Sequence, residues 1–131
     1  DKATNEDIFR IINSYGTRPR LLDSNVPLNI FVLRYYLPIP SYAGLVVDDT
    51  SMILFKTAID HVADNSRSLK ALEISTILHE FAHLAGADHI DNPDCIMADT
   101  VENLNFYSKI SEIRDTYCEE DRQAIQQALQ I

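Results

Sequence analysis

The 131-residue chain contains no tryptophan, three glycines, five prolines and two cysteines. Positive charge is also scarce: 11 Lys and Arg against 20 Asp and Glu give a formal net charge of −9 and a pI near 4.7. Each shortage excludes something. A nucleic-acid surface needs clustered Lys and Arg, and the one approach to a cluster, Arg18 to Arg20, reads as a solvated corner. Binding to an anionic membrane surface is disfavoured on the same ground. No apolar run approaches the roughly 20 residues of a spanning helix. The opening from Asp1 to Asp7 is polar and lacks the basic-then-apolar pattern of a secretory leader. Cys95 and Cys118 are too few to fix a redox compartment, so one bridge and two buried thiols both stay open.

The rest of the composition is that of an ordinary globular domain, 46% hydrophobic and 24% charged. The length suits a single domain over residues 1–131, large enough to bury roughly two-thirds of its unfolded surface. There is no internal repeat, low-complexity run or evident linker. Thr4 with Asp7 three residues on resembles a capping box, and Ile8, Phe9, Ile11, Ile12 and Tyr15 follow at helical spacing up to Gly16. Residues 17–28 read as a connection. Asn29 to Leu37 is β-branched and aromatic and predicts a strand. Tyr42 to Val47 and Met52 to Lys56, separated by Asp-Asp-Thr-Ser, predict a hairpin whose first strand carries Gly44 as edge strands often do. Helices are expected over Thr57 to Asp64, Leu69 to Ala85 and Glu119 to Gln130, while Tyr107 to Tyr117 is ambiguous. Helix, strands, then helices imply an α+β fold with a small mixed sheet.

Residues 79–89 read HEFAHLAGADH and hold three of the four histidines. On a helix, His79 and His83 are separated by about 40° and about 6 Å, so both imidazoles can reach one ion. Catalytic zinc takes three protein ligands and keeps a fourth position open. Glu80 follows His79 directly, where this pattern places a general base. Gly86 allows the positive φ needed to end the helix and turn the chain, which brings His89 back as the third ligand. Ile74, Ile77, Leu78, Phe81, Ala82 and Ala85 form the side expected to enter the core. Leu72, Thr76, His79 and His83 form the side expected to face a cleft, and Ser75 and Thr76 read as helix surface.

The residues His79, Glu80, His83, Gly86 and His89 match HExxHxxGxxH, and the chain thereby resembles the metzincin zinc peptidases. The family places a methionine in a tight turn beneath the metal, and Met97 in Cys95-Ile96-Met97 is the residue the resemblance selects. The spacing looks most like archaemetzincins, and the Cys-Ile-Met triplet is also similar to adamalysins. Archaemetzincins bind a second zinc through four cysteines, two of which are replaced here by Ile90 and Asp115. The resemblance therefore implies one catalytic Zn²⁺, with Cys95 and Cys118 left as a disulfide or a thiol pair. It implies a zinc-dependent endopeptidase acting on an extended peptide or protein. The substrate strand would lie along the edge formed by Tyr42 to Val47, and Asn103, Leu104, Phe106 and Tyr107 would line the specificity pocket within residues 98–107. Asp99 stands where some metzincins carry a tyrosine.

Other readings compete. Glu102 or Glu112 is the third ligand in a gluzincin arrangement, and a purely structural zinc would take four protein ligands. A metzincin-like shell without turnover would be a peptide-binding module. His61 reads as a surface residue. Asp88, Asp91, Asn92 and Asp94 read as a polar turn rather than a calcium loop, one of whose carboxylates could orient a ligand histidine. Substrate identity, oligomeric state and compartment are not encoded in any motif.

Overall fold

The computed structural model describes residues 2–16, 27–102 and 113–130. In chain order the elements are β1 (Lys2–Ala3), α1 (Asn5–Tyr15), β2 (Asn29–Leu33), β3 (Tyr35–Tyr36), β4 (Gly44–Asp48) and β5 (Ser51–Phe55). They continue with α2 (Lys56–Val62), α3 (Ser66–Ala85), α4 (Asp99–Glu102) and α5 (Glu119–Leu129). This is a small mixed α+β fold. Of the connection expected over residues 17–28, residues 17–26 lie outside the described residues, Arg18 to Arg20 among them.

The main sheet has the order β2-β5-β4, with β2 parallel and β4 antiparallel to β5. All five residues of β5 are buried, as suits a central strand covered on both faces. The hairpin turns at Asp49-Thr50, where the Asp48 carboxylate accepts the Thr50 N–H at 2.9 Å. The single strand expected over Asn29 to Leu37 is divided. Its ladder with β5 ends at Leu33 opposite Phe55, because the partner strand passes straight into α2 at Lys56. After a bend at Arg34, Tyr35 and Tyr36 pair with Lys2 and Ala3 instead.

Helix termini follow local chemistry. The Thr4 hydroxyl accepts the Asp7 N–H at 3.1 Å, and the Asp7 carboxylate accepts the Thr4 N–H at 3.0 Å, completing the capping box on α1. Helix α3 begins at Ser66, three residues before the expected Leu69, since Asn65 accepts the N–H groups of Arg67 and Ser68. Helix α2 is fastened to α3 by the Lys56 ammonium, which lies 2.5 Å from carboxylate oxygens of both Asp60 and Glu73.

Two apolar clusters meet along α3. One contains Ile8, Ile12, Ile53, Phe55, Ile59 and Leu72; the other contains Ala82, Ala87, Ile96 and Met97, with Tyr117 and Ile125 packed against it. Burying an Ile, Leu or Phe side chain contributes about 1.5–3 kcal/mol. The expected core side of α3 holds for Ile77, Leu78 and Ala82 and is corrected at Phe81. The buried residues of the helix are Leu72, Ser75, Thr76, His79, Glu80 and Ala82, whereas Phe81 is 45% exposed. Helix α3 lies against β4 and β5 along one side and against α4 and α5 elsewhere, so its polar residues are covered too. Among the described residues, no helix is long and apolar enough to cross a membrane.

Candidate metal centre

His79 and His83 occupy one side of the last two turns of α3. Gly86 ends the helix at φ 103° and ψ 6°, with its N–H directed to the carbonyls of Ala82 and His83. A side chain is strained in that region, and glycine is not. The reversal brings His89 onto the other two rings: its Nε2 lies 3.1 Å from Nε2 of His83 and 3.3 Å from Nε2 of His79, and those two atoms are 3.1 Å apart.

The opposite ring nitrogens settle the tautomers. Nδ1 of His79 is 2.7 Å from the Ile96 carbonyl, and Nδ1 of His83 is 2.8 Å from the Ala87 carbonyl. A carbonyl only accepts, so each Nδ1 carries the proton and donates. Nδ1 of His89 faces the Asp99 carboxylate at 2.5 Å, where the same assignment holds. In the neutral rings Nε2 is then the lone-pair nitrogen, and the three Nε2 atoms converge within 3.3 Å, an arrangement that a shared cation would satisfy for all three at once. Nitrogens held at about 2.0–2.1 Å by a tetrahedral ion stand roughly 3.3–3.4 Å apart, close to the observed separations. The group formed by His79, His83 and His89 can hold a metal ion.

The Ile96 carbonyl that meets His79 belongs to a turn from Cys95 to Ala98, all four residues buried. Met97 is 0% exposed and belongs to the cluster with Ala82, Ala87 and Ile96. Cys95 and Cys118 form a disulfide. Asp121, fully buried on α5, accepts the N–H groups of Ile96 at 2.8 Å, Met97 at 3.0 Å and Cys118 at 3.0 Å. Cys95, Cys118 and Asp121 lie within ligand distance of one another, but the disulfide consumes both thiolates and the carboxylate is taken by main-chain donors. Tyr117 donates its hydroxyl to the Leu78 carbonyl at 2.7 Å, and burial pushes its pKa up to about 12.

Glu80 is 1% exposed and lies on α3 where Gly44 of β4 comes closest. A Cβ at position 44 would stand 2.7 Å from Cγ2 of Thr76 and 2.9 Å from Cγ of Glu80. The glycine thus serves a close approach of strand to helix as well as sitting on an edge strand.

Other expected residues fall in different places. Ser75 and Thr76 are buried, not surface, and the Thr76 hydroxyl donates to the Leu72 carbonyl at 2.7 Å. The carboxylate of Asp99 faces Nδ1 of His89. Within the loop over residues 88–94, Asn92 donates to Glu120 and Asp94 pairs with Arg114, which ties the loop to α5 and to the chain ahead of it. His61 is exposed and borders a cavity of about 620 Å³, whose lining includes Lys2, Tyr35, Pro40 and Val62 and none of the triad. Asn103, Leu104, Phe106, Tyr107 and Glu112, with the side chain of Glu102, lie outside the described residues. Sequence reasoning missed Asp99, Asp121 and Tyr117. Only Asp121 carried a local signal, the capping-box spacing from Cys118 to Asp121.

Comparison with protein-family models, with curated proteins and with solved structures finds no match to this chain.

Proposed function

We propose that the chain is a zinc-dependent endopeptidase of metzincin type. The observation that carries this reading is the convergence of three Nε2 atoms within 3.3 Å of one another, with Glu80 next to His79 on the same helix. His79, His83 and His89 would hold the ion, and neutral imidazoles of this number suit zinc with an open position. Zinc in such a site supplies Lewis-acid chemistry, acidifying a water and polarising a carbonyl.

The remaining work falls to the chain. Glu80 takes the proton from the attacking water and delivers it to the leaving amine as the peptide C–N bond breaks. Its placement against Gly44 puts the base beside β4, an edge of the main sheet. An extended peptide added along that edge would bring a main-chain carbonyl past Glu80. Met97 and the disulfide-tied turn support the histidines from below, and Gly86 sets the reversal that places His89.

The test is cleavage of a broad quenched-peptide library by zinc-loaded protein, with Glu80→Ala as control. Cutting that is abolished by a chelator and by Glu80→Ala, while the variant still binds zinc, is the expected result. Zinc binding without cutting by the unaltered chain would turn the reading towards a peptide-binding module.

A further inference from the structure

We infer that Asp99 is a positioning residue of the metal centre, which holds His89 in place and on which retention of the metal depends. The inference rests on the reading of the histidine triad as a metal site. It goes beyond that reading by naming a fourth side chain and the ligand through which it acts.

The three rings are not held alike. His79 is fully buried and its Nδ1 donates to a carbonyl in the buried turn from Cys95 to Ala98. His83 donates to the carbonyl of Ala87, itself buried. Both acceptors belong to the main chain and are fixed by the fold. His89 lies beyond the helix, in a stretch without regular secondary structure, and its side chain is 37% exposed. Its Nδ1 meets a side chain instead, the carboxylate of Asp99 at 2.5 Å.

Two consequences follow. A partly exposed imidazole on an irregular segment has rotamers to lose when it binds an ion, and an acceptor on Nδ1 removes that freedom in advance. A carboxylate also carries a full negative charge, which makes the distal Nε2 a stronger donor than a carbonyl partner does. Asp99 is well placed for both tasks. It stands two residues after Met97, whose N–H is bound by buried Asp121, so its backbone begins from a fixed point. The Asp99 side chain is itself 69% exposed. An exposed ion pair contributes only about 0–1 kcal/mol to folding, so its main effect appears in metal binding and not in the stability of the metal-free chain.

The experiment titrates zinc into the full chain against a chromophoric chelator and records the visible spectrum of the cobalt(II) form. The proteins compared are the unaltered chain, Asp99→Ala, Asp99→Asn, Asp99→Glu and His89→Ala, with thermal melts of each metal-free form. Asp99→Ala and Asp99→Asn are expected to weaken zinc binding about 10- to 100-fold and to alter the cobalt spectrum. Asp99→Glu recovers much of the affinity, and the metal-free melts superimpose. Unchanged affinity and spectrum in Asp99→Ala, alongside loss in His89→Ala, would overturn the inference and leave the triad standing. A metal-free melt lowered in proportion to the lost affinity would overturn it too, assigning Asp99 to the fold. Failure of the unaltered chain to take up zinc would remove the triad reading and this inference together.

Discussion

The carboxylate of Asp121 accepts the N–H of Ile96 at 2.8 Å, and the carbonyl of the same Ile96 accepts the Nδ1–H of His79 at 2.7 Å. A buried acid on α5 is thereby linked to a histidine of the triad on α3 through one residue of main chain. Both oxygens of the acid are occupied, since Met97 and Cys118 also donate to it.

Asp121→Asn tests that link. The amide would present an NH₂ group to an N–H donor and leave at least one buried donor without an acceptor. Each such group costs about 1–3 kcal/mol, so a loss of about 3 kcal/mol is expected in urea unfolding of the metal-free chain. Zinc affinity falls as well, because the Ile96 carbonyl loses its anchorage. Unfolding midpoints and chelator competition on the same preparation measure the two effects.

Reducing the Cys95–Cys118 disulfide opens a closure of 23 residues in sequence. In the chain-entropy account a loop of this length contributes about 3 kcal/mol. The double variant Cys95→Ala with Cys118→Ala is expected to melt well below the oxidised protein, as is the unaltered chain in reductant. Coincident melts with and without reductant would show that Asp121 and the apolar cluster hold the turn unaided.

Much of this arrangement was legible in the sequence because it depends on neighbours along the chain. The capping box of Thr4 and Asp7, the turn at Asp49-Thr50 and the spacing of His79, His83, Gly86 and His89 are local patterns with local causes. What escaped was set by distance. Asp121 meets residues 24 and 25 positions away, and its capping-box spacing from Cys118 marks a helix start but not a buried acid. Asp99 reaches His89 only because the intervening chain folds back. Ser75 and Thr76 looked like surface because they are polar, yet α3 is covered along that side by the sheet. The strand at Asn29 looked continuous to Leu37, and its break reflects where β5 ends. No pattern within residues 29–37 records the end of another strand.

The Tyr117 hydroxyl gives a pH-dependent test. Burial, with a smaller effect from nearby Asp121, holds its pKa up to about 12 in the folded chain, whereas an unfolded tyrosine ionises near 10. Below about pH 10 both states keep the proton, and this group adds no slope. Above it the unfolded state releases the proton first, so stability falls as pH rises from about 10 to about 12. Tyr117→Phe is expected to lose about 1 kcal/mol at neutral pH with the bond to Leu78, and to show a shallower alkaline decline. Urea midpoints from pH 8 to pH 11 compare the two proteins.

Gly44→Ala separates placement of the proposed base, Glu80, from placement of the proposed metal site. The new methyl group would stand 2.7 Å from Cγ2 of Thr76 and 2.9 Å from Cγ of Glu80, both on the rigid face of α3. Strand β4 must then retreat or Glu80 must turn, at a cost of about 1–3 kcal/mol for an overpacked contact. No atom of His79, His83 or His89 is among the three nearest this methyl group. Zinc affinity is therefore expected to stay close to that of the unaltered chain, while peptide cleavage falls about 10- to 100-fold, the scale of a misplacement near 1 Å. A parallel loss of affinity and cleavage would mean that α3 itself had shifted. Unchanged cleavage would show that the approach of Gly44 does not position Glu80, and the base would then owe its orientation to α3 alone.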